Sequence, residues 1–190
     1  MNSLINGGDF LINTLFSLFI LFLLIRFWMH ICHADFRNPI GNFLVQISNP
    51  LLLPFKSLIT SNRGFAIAVL GIAATITVVK IFLLSSIDGR MPALTGLLIL
   101  VLADLMKTSI YIFMGAMIIR VISSWIAPQG GYNPILAIAH TLSEPLAAPA
   151  RRIIPAISGV DLSPILVFIF LQLGLIVLIE PLFRLGAKLA

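Results

Sequence analysis

Ser48-Asn49-Pro50-Leu51-Leu52-Leu53-Pro54-Phe55-Lys56 returns 95 positions later as Ser143-Glu144-Pro145-Leu146-Ala147-Ala148-Pro149-Ala150-Arg151. Upstream, Asn38-Pro39 matches Asn133-Pro134 at the same offset, and downstream Gly64 matches Gly159. An arginine near the end of an apolar run precedes each block, Arg26 and Arg120, one residue out of register. A period this long excludes a solenoid, and the repeated unit is too apolar to stand in water. The expected fold is an all-α, polytopic membrane bundle made of a tandem duplicated two-helix module, residues 1–90 and 91–190.

Composition points the same way. Of 190 residues 59% are hydrophobic and 10% charged, against roughly a quarter charged in soluble domains, and the mean hydropathy is +1.11. The lipid bilayer is therefore the first partner. The net charge of +5 comes from twelve basic residues spread along the chain. That argues against nucleic acid, which wants a basic face outside lipid, and suits lysines and arginines beside anionic headgroups. A single cysteine, Cys32, excludes an intrachain disulfide and a CxxC site. The opening residues 1–9 hold no Lys or Arg and no clear cleavage site, so the first apolar run reads as a retained helix.

Four spans are expected, each about 20 residues as a hydrocarbon core requires. Residues 10–29 and 65–87 serve the first module, and 108–126 and 162–179 the second. Between each pair lies an amphipathic segment, 39–60 and 134–155, with apolar residues at three-to-four spacing. Pro50 and Pro54, like Pro145 and Pro149, remove backbone donors, so each segment is expected as two short helices joined by a break. Such a segment lies in the interface or dips in against protein. Asp88-Gly89-Arg90-Met91-Pro92 marks the boundary between modules. The 34 residues from Ala93 to Ile126 resist a simple reading. A short lead-in, Leu94–Leu102, followed by a span from Thr108 is preferred over one long tilted helix, because Asp104 and Lys107 interrupt the run.

Both modules insert the same way round, a parallel repeat. Arg26, Arg37, Lys56, Arg63, Arg120, Arg151 and Arg152 fall on the side of the amphipathic segments, against Arg90, Arg184 and Lys188 opposite. Basic residues favour the cytoplasm, so the segments are expected there, in a multi-pass protein of a bacterial inner membrane.

Lys80, Asp104, Lys107 and Glu180 lie in or beside apolar runs, where an ionised group is expensive and usually paired or functional. Asp104 and Lys107 are three apart and share a helix face. Lys80 needs a partner from another helix, Asp104 or Glu180. This set serves either as an ion or proton path or as glue for the bundle. His30, Cys32, His33 and Asp35 carry donors suited to zinc or haem iron, but their spacing scatters them over different faces, and no metal or cofactor is expected. No enzyme is expected either: Ser85, Ser86, Ser123, Ser124 and Ser143 lack a GxSxG setting, His140 stands alone, and no glycine loop cradles phosphate.

The apolar helix with its arginine, the Asn-Pro, and the Asn/Glu-Pro-Leu followed by a second proline and basic residues together resemble the YggT (YlmG-like) family of small membrane proteins. Gly159-Val160-Asp161-Leu162-Ser163-Pro164 is similar to that family's Gly-x-Asp-x-Ser-Pro before the last helix. The first copy departs from it, with Ala66, Ala68 and Val69 in place of Asp, Ser and Pro. The resemblance implies an integral membrane protein of bacteria or plastids with no established reaction. In bacteria it implies support of osmotic-shock tolerance and potassium or sodium handling, as a transport component or accessory. The alternative it implies is a scaffold or assembly factor for cytochrome haem attachment, cell division or membrane organisation. A membrane-protein partner or a second copy of the chain fits either role.

Overall fold

Thirty residues, Asn2–Ile31, form the first helix, α1. It ends in a Schellman motif: the Ala34 amide donates to the Met29 carbonyl at 2.8 Å and the His33 amide to the His30 carbonyl at 3.3 Å. His33 takes the left-handed position, φ +55°, that glycine usually fills. The structure, a computed structural model, describes residues 2–58, 61–87, 89, 92–126, 132–154 and 161–190.

The amphipathic segments are helices laid across one end of the bundle. The first, α2 (Pro39–Leu52), starts with proline at a position whose N–H has no helical partner anyway. The Asn38 side chain caps it by accepting from the Gly41 amide at 2.8 Å. Gly41 is needed there, because a Cβ would sit 2.6 Å from the Phe36 carbonyl oxygen. A 3₁₀ turn, Leu53–Leu58, continues the segment. The second, α5 (Pro134–Ile153), opens in the same manner: the Asn133 side chain accepts from the Ile135 amide at 2.9 Å.

The expected break at the prolines is corrected by the structure. Pro50 lies inside α2, and both Pro145 and Pro149 lie inside α5. A proline within a helix costs about 3 kcal/mol in lost hydrogen bonding and clash. The buried face of α5 (Ile138, Ala139, Leu142, Ala147 and Ala150) holds the helix against the bundle and offsets that cost. Only the first segment changes form, passing from α to 3₁₀ between its two prolines.

Helix α3 (Asn62–Ile87) returns the chain across the bundle. Gly89 beyond it has φ +69°, a left-handed value suited to glycine; Asp88, Arg90 and Met91 lie outside the described residues. Next comes α4, one unbroken helix Leu94–Ile126. That overturns the expected lead-in and separate span. Asp104 does not interrupt the helix because its charge is answered by Lys80 of α3, and the Lys107 ammonium rests over aromatic rings.

The last span also runs further than expected. Helix α6 (Ser163–Gly174), a π segment (Leu175–Ile179) and α7 (Glu180–Leu189) follow one another without interruption. Pro181 explains the wide turn: it has no N–H and its ring crowds the preceding carbonyls, and the Glu180 amide instead reaches back five residues to the Leu175 carbonyl.

Among the described residues four helices are thus long and apolar enough to cross a membrane: Asn6–Ile31, Asn62–Ile87, Leu94–Ser124 and Ser163–Leu189. Helix α1 packs chiefly on α3, and α4 on α7 and α5; α3 and α1 both meet α4, and α2 touches α5, so the two straps share one end. The main core joins Ile20, Leu23 and Leu24 of α1 to Val69, Ile72 and Ala73 of α3 and Val101 of α4. The outer faces keep large apolar side chains exposed, among them Phe10, Ile67, Leu94 and Val177, as a lipid-facing surface does. Glycines let α4 and α7 approach closely: a Cβ on Gly96 of α4 would strike the Ala190 backbone nitrogen, and one on Gly186 of α7 would lie 2.8 Å from Leu100.

Candidate functional site

Two kinds of charged site emerge. The first lies in the apolar middle of the bundle. Lys80 of α3, 5% exposed, donates to the carboxylate of Asp104 on α4. Its ammonium also lies 3.4 Å from Ser17 Oγ on α1, and Ser17 in turn donates to Asn13 Oδ1 at 3.4 Å. An ammonium offers three donors and a carboxylate only acceptors. The pair therefore answers its own charge, while serine and asparagine carry a polar line one turn further to the exposed Asn13.

The second kind pins each strap to its preceding span. Arg26 of α1 donates to Ser48 Oγ and, at 3.0 Å, to Asn49 Oδ1, both on α2. Arg120 of α4 reaches Ser143 Oγ at 3.3 Å and Glu144 Oε2 at 2.8 Å on α5. Ser48 and Ser143 stand 95 positions apart, as do Asn49 and Glu144. The second site extends further: Arg151 pairs with Glu144 and lies 3.8 Å from Asp161, whose side chain accepts from the Ser163 amide at 2.9 Å just before α6. Burial would raise the Glu144 carboxyl, but hydrogen bonds and charge from Arg120 and Arg151 outweigh it and hold the group below its ordinary value. Asp161 is treated likewise: burial pushes up, and Ser163 together with Arg151 and Arg120 brings it down.

The remaining predicted residues take separate places. Lys107 does not meet Asp104. Its ammonium lies 5.9 Å from the Tyr111 ring centroid and 5.4 Å from that of Phe183. Glu180 faces Arg184 at 3.6 Å on an exposed surface, away from Lys80. Gly64 sits in the first turn of α3, where its amide donates to Ser61 Oγ at 3.0 Å, and Pro54 lies in the 3₁₀ turn. Ser163 and Pro164 are buried at the start of α6, Arg152 is exposed at the end of α5, and Gly159 lies outside the described residues.

The His30–Asp35 cluster disperses. His30 Nε2 lies 3.1 Å from the Asn62 carbonyl, His33 serves the helix end, and Asp35 accepts from the Arg37 amide at 2.8 Å. Burial raises the Cys32 thiol, which opposes the thiolate that a metal needs. Among the described residues no three His, Cys, Asp or Glu side chains gather around a common point.

Sequence reasoning did not assign roles to Ser48, Ser143, Asn49 or Glu144. The signal was present, since all four sit at the repeat offset beside the prolines. Ser17 and Phe183 gave no such signal, because only tertiary packing brings them to Lys80 and Lys107.

Four apolar helices, two amphipathic straps and an internal ion pair define a multi-pass helical membrane protein. The chain belongs to the CCB3/YggT family, whose model matches residues 5–87 and again 99–182. It is 37% identical over 169 residues to an uncharacterised protein from the proC 3′ region of Vibrio alginolyticus, covering 88% of this chain and 90% of that one. An uncharacterised Pseudomonas aeruginosa protein is 35% identical, with 91% and 88% covered. The YggT protein of Escherichia coli K12, also described as uncharacterised, is 31% identical, with 87% and 86% covered. No solved structure matches the chain.

Proposed function

We propose that this is a non-catalytic protein of the bacterial inner membrane that supports osmotic tolerance and cation homeostasis, as a transport component or accessory, with its straps on the cytoplasmic side. One observation carries the reading: the Lys80–Asp104 pair, buried between α3 and α4, continues through Ser17 to Asn13. Ionised groups at that depth are costly, and charge movement is a use that rewards them. The osmotic role comes from the family resemblance. The repeated Arg26–Ser48 and Arg120–Ser143 contacts further support descent of both halves from one duplicated module. The test is cation flux into proteoliposomes beside salt-stress survival of cells. Flux and protection that both vanish in Lys80→Ala/Asp104→Ala support the reading. No flux from wild type, with full protection by the variant, sinks it.

A scaffold role is the second reading, favoured by the exposed Arg152 and Ile153 at the end of α5. Arg152→Glu is the appropriate probe, because Arg151 is tied to Glu144 and Asp161. Loss of function with the protein still inserted supports recruitment of a partner by this surface.

A further inference from the structure

Arg26 is 6% exposed near the strap end of α1. Every group found against its guanidinium among the described residues is neutral: Ser48 Oγ, Asn49 Oδ1, and the Phe65 ring, whose centroid lies 5.1 Å from Cζ. Its Nε is buried without a hydrogen-bond partner. A buried cation with no counter-charge is expensive.

The second half shows what relieves the equivalent arginine. Glu144, which pairs with Arg120 at 2.8 Å, stands where the first half has Asn49, and Asp161, 3.8 Å from Arg151 beside it, stands where the first half has Ala66. The first half lacks both carboxylates and instead has an open cavity of about 310 Å³ lined by Arg26, His30, Phe36, Ser61, Asn62 and Phe65, with Val45. Ser61 and Asn62 form the start of α3, where the Gly64 amide is taken by Ser61 Oγ and the helix's partial positive charge favours an anion, and Arg63 is exposed on the same turn.

We infer that this cavity binds an anion of the phosphate class, which supplies the counter-charge that Glu144 and Asp161 provide in the other half. The phosphodiester of an anionic lipid headgroup and inorganic phosphate share the required chemistry. The site stands apart from the Lys80–Asp104 pair and does not depend on it.

The experiment uses the full chain in nanodiscs and in detergent. Native mass spectrometry counts retained phosphatidylglycerol against phosphatidylcholine, and thermal unfolding is followed with added inorganic phosphate. Asn49→Glu installs the second half's carboxylate beside Arg26, and Asn49→Gln is the neutral control. Wild type and Asn49→Gln are expected to retain phosphatidylglycerol selectively. Asn49→Glu should lower that retention about tenfold, the scale of one charge-assisted hydrogen bond, while unfolding at an equal or higher temperature. Stabilisation by phosphate without lipid selectivity assigns the site to the free anion; lipid selectivity without a phosphate response assigns it to the headgroup. Either result supports an anion site. Neither response in wild type, or full retention by Asn49→Glu, overturns it.

Discussion

Lys80 of α3 and Asp104 of α4 meet inside the apolar bundle, and their ion pair ties the two helices together. Removing one partner leaves the other charged and buried, whereas removing both leaves apolar neighbours to repack. Lys80→Leu or Asp104→Leu should therefore cost about 3–5 kcal/mol, and Lys80→Leu/Asp104→Leu much less than the sum of the two single changes. Unfolding of each variant in detergent gives the coupling. Additive losses would show that the pair carries no net interaction.

Glu144 links the second strap to acid. Its folded carboxyl titrates below the ordinary value near 4.5, so its stabilising effect is complete above that value and is lost as pH falls through the lower folded one. Stability should decline below about pH 4.5, with the second strap opening first. Glu144→Gln should be less stable at neutral pH and show a shallower acid decline. Hydrogen exchange of α5 amides across pH 3 to 7 is the measurement; an unchanged profile in the variant contradicts the assignment.

Two glycines in the second half should respond oppositely to alanine. At Gly186 a Cβ lies 2.8 Å from Leu100 Cγ and 3.2 Å from its backbone nitrogen, so α7 must move off α4. A loss of about 1–3 kcal/mol is expected, as for overpacking elsewhere. At Gly115 of α4 nothing lies within 4 Å, and alanine should gain up to about 1 kcal/mol from helix propensity. Thermal unfolding of both variants decides, and loss at both sites would contradict the packing described.

What was legible in the chain is local. Asn38-Pro39 and Asn133-Pro134 announce helix starts because the cap and the proline act within three residues, and both start helices here. The length of α4 was hidden, since Asp104 reads as an interruption until Lys80, 24 residues away, answers its charge. The continuity of α5 was hidden for a related reason: a proline's lost N–H is visible in sequence, while the buried face that compensates it is not. The arginine pins lay between. Their residues stood at matching offsets, but only the packed straps show that Ser48 and Ser143 receive Arg26 and Arg120.

The two straps meet at one end of the bundle, and the proposed topology puts that end at one membrane face. Single cysteines at the exposed positions Gln46 and His140, introduced separately in a Cys32→Ser background, test it with a membrane-impermeant thiol reagent on intact cells and inverted vesicles. Both positions should label in inverted vesicles and stay protected in intact cells. Labelling of one from outside and the other from inside contradicts the arrangement.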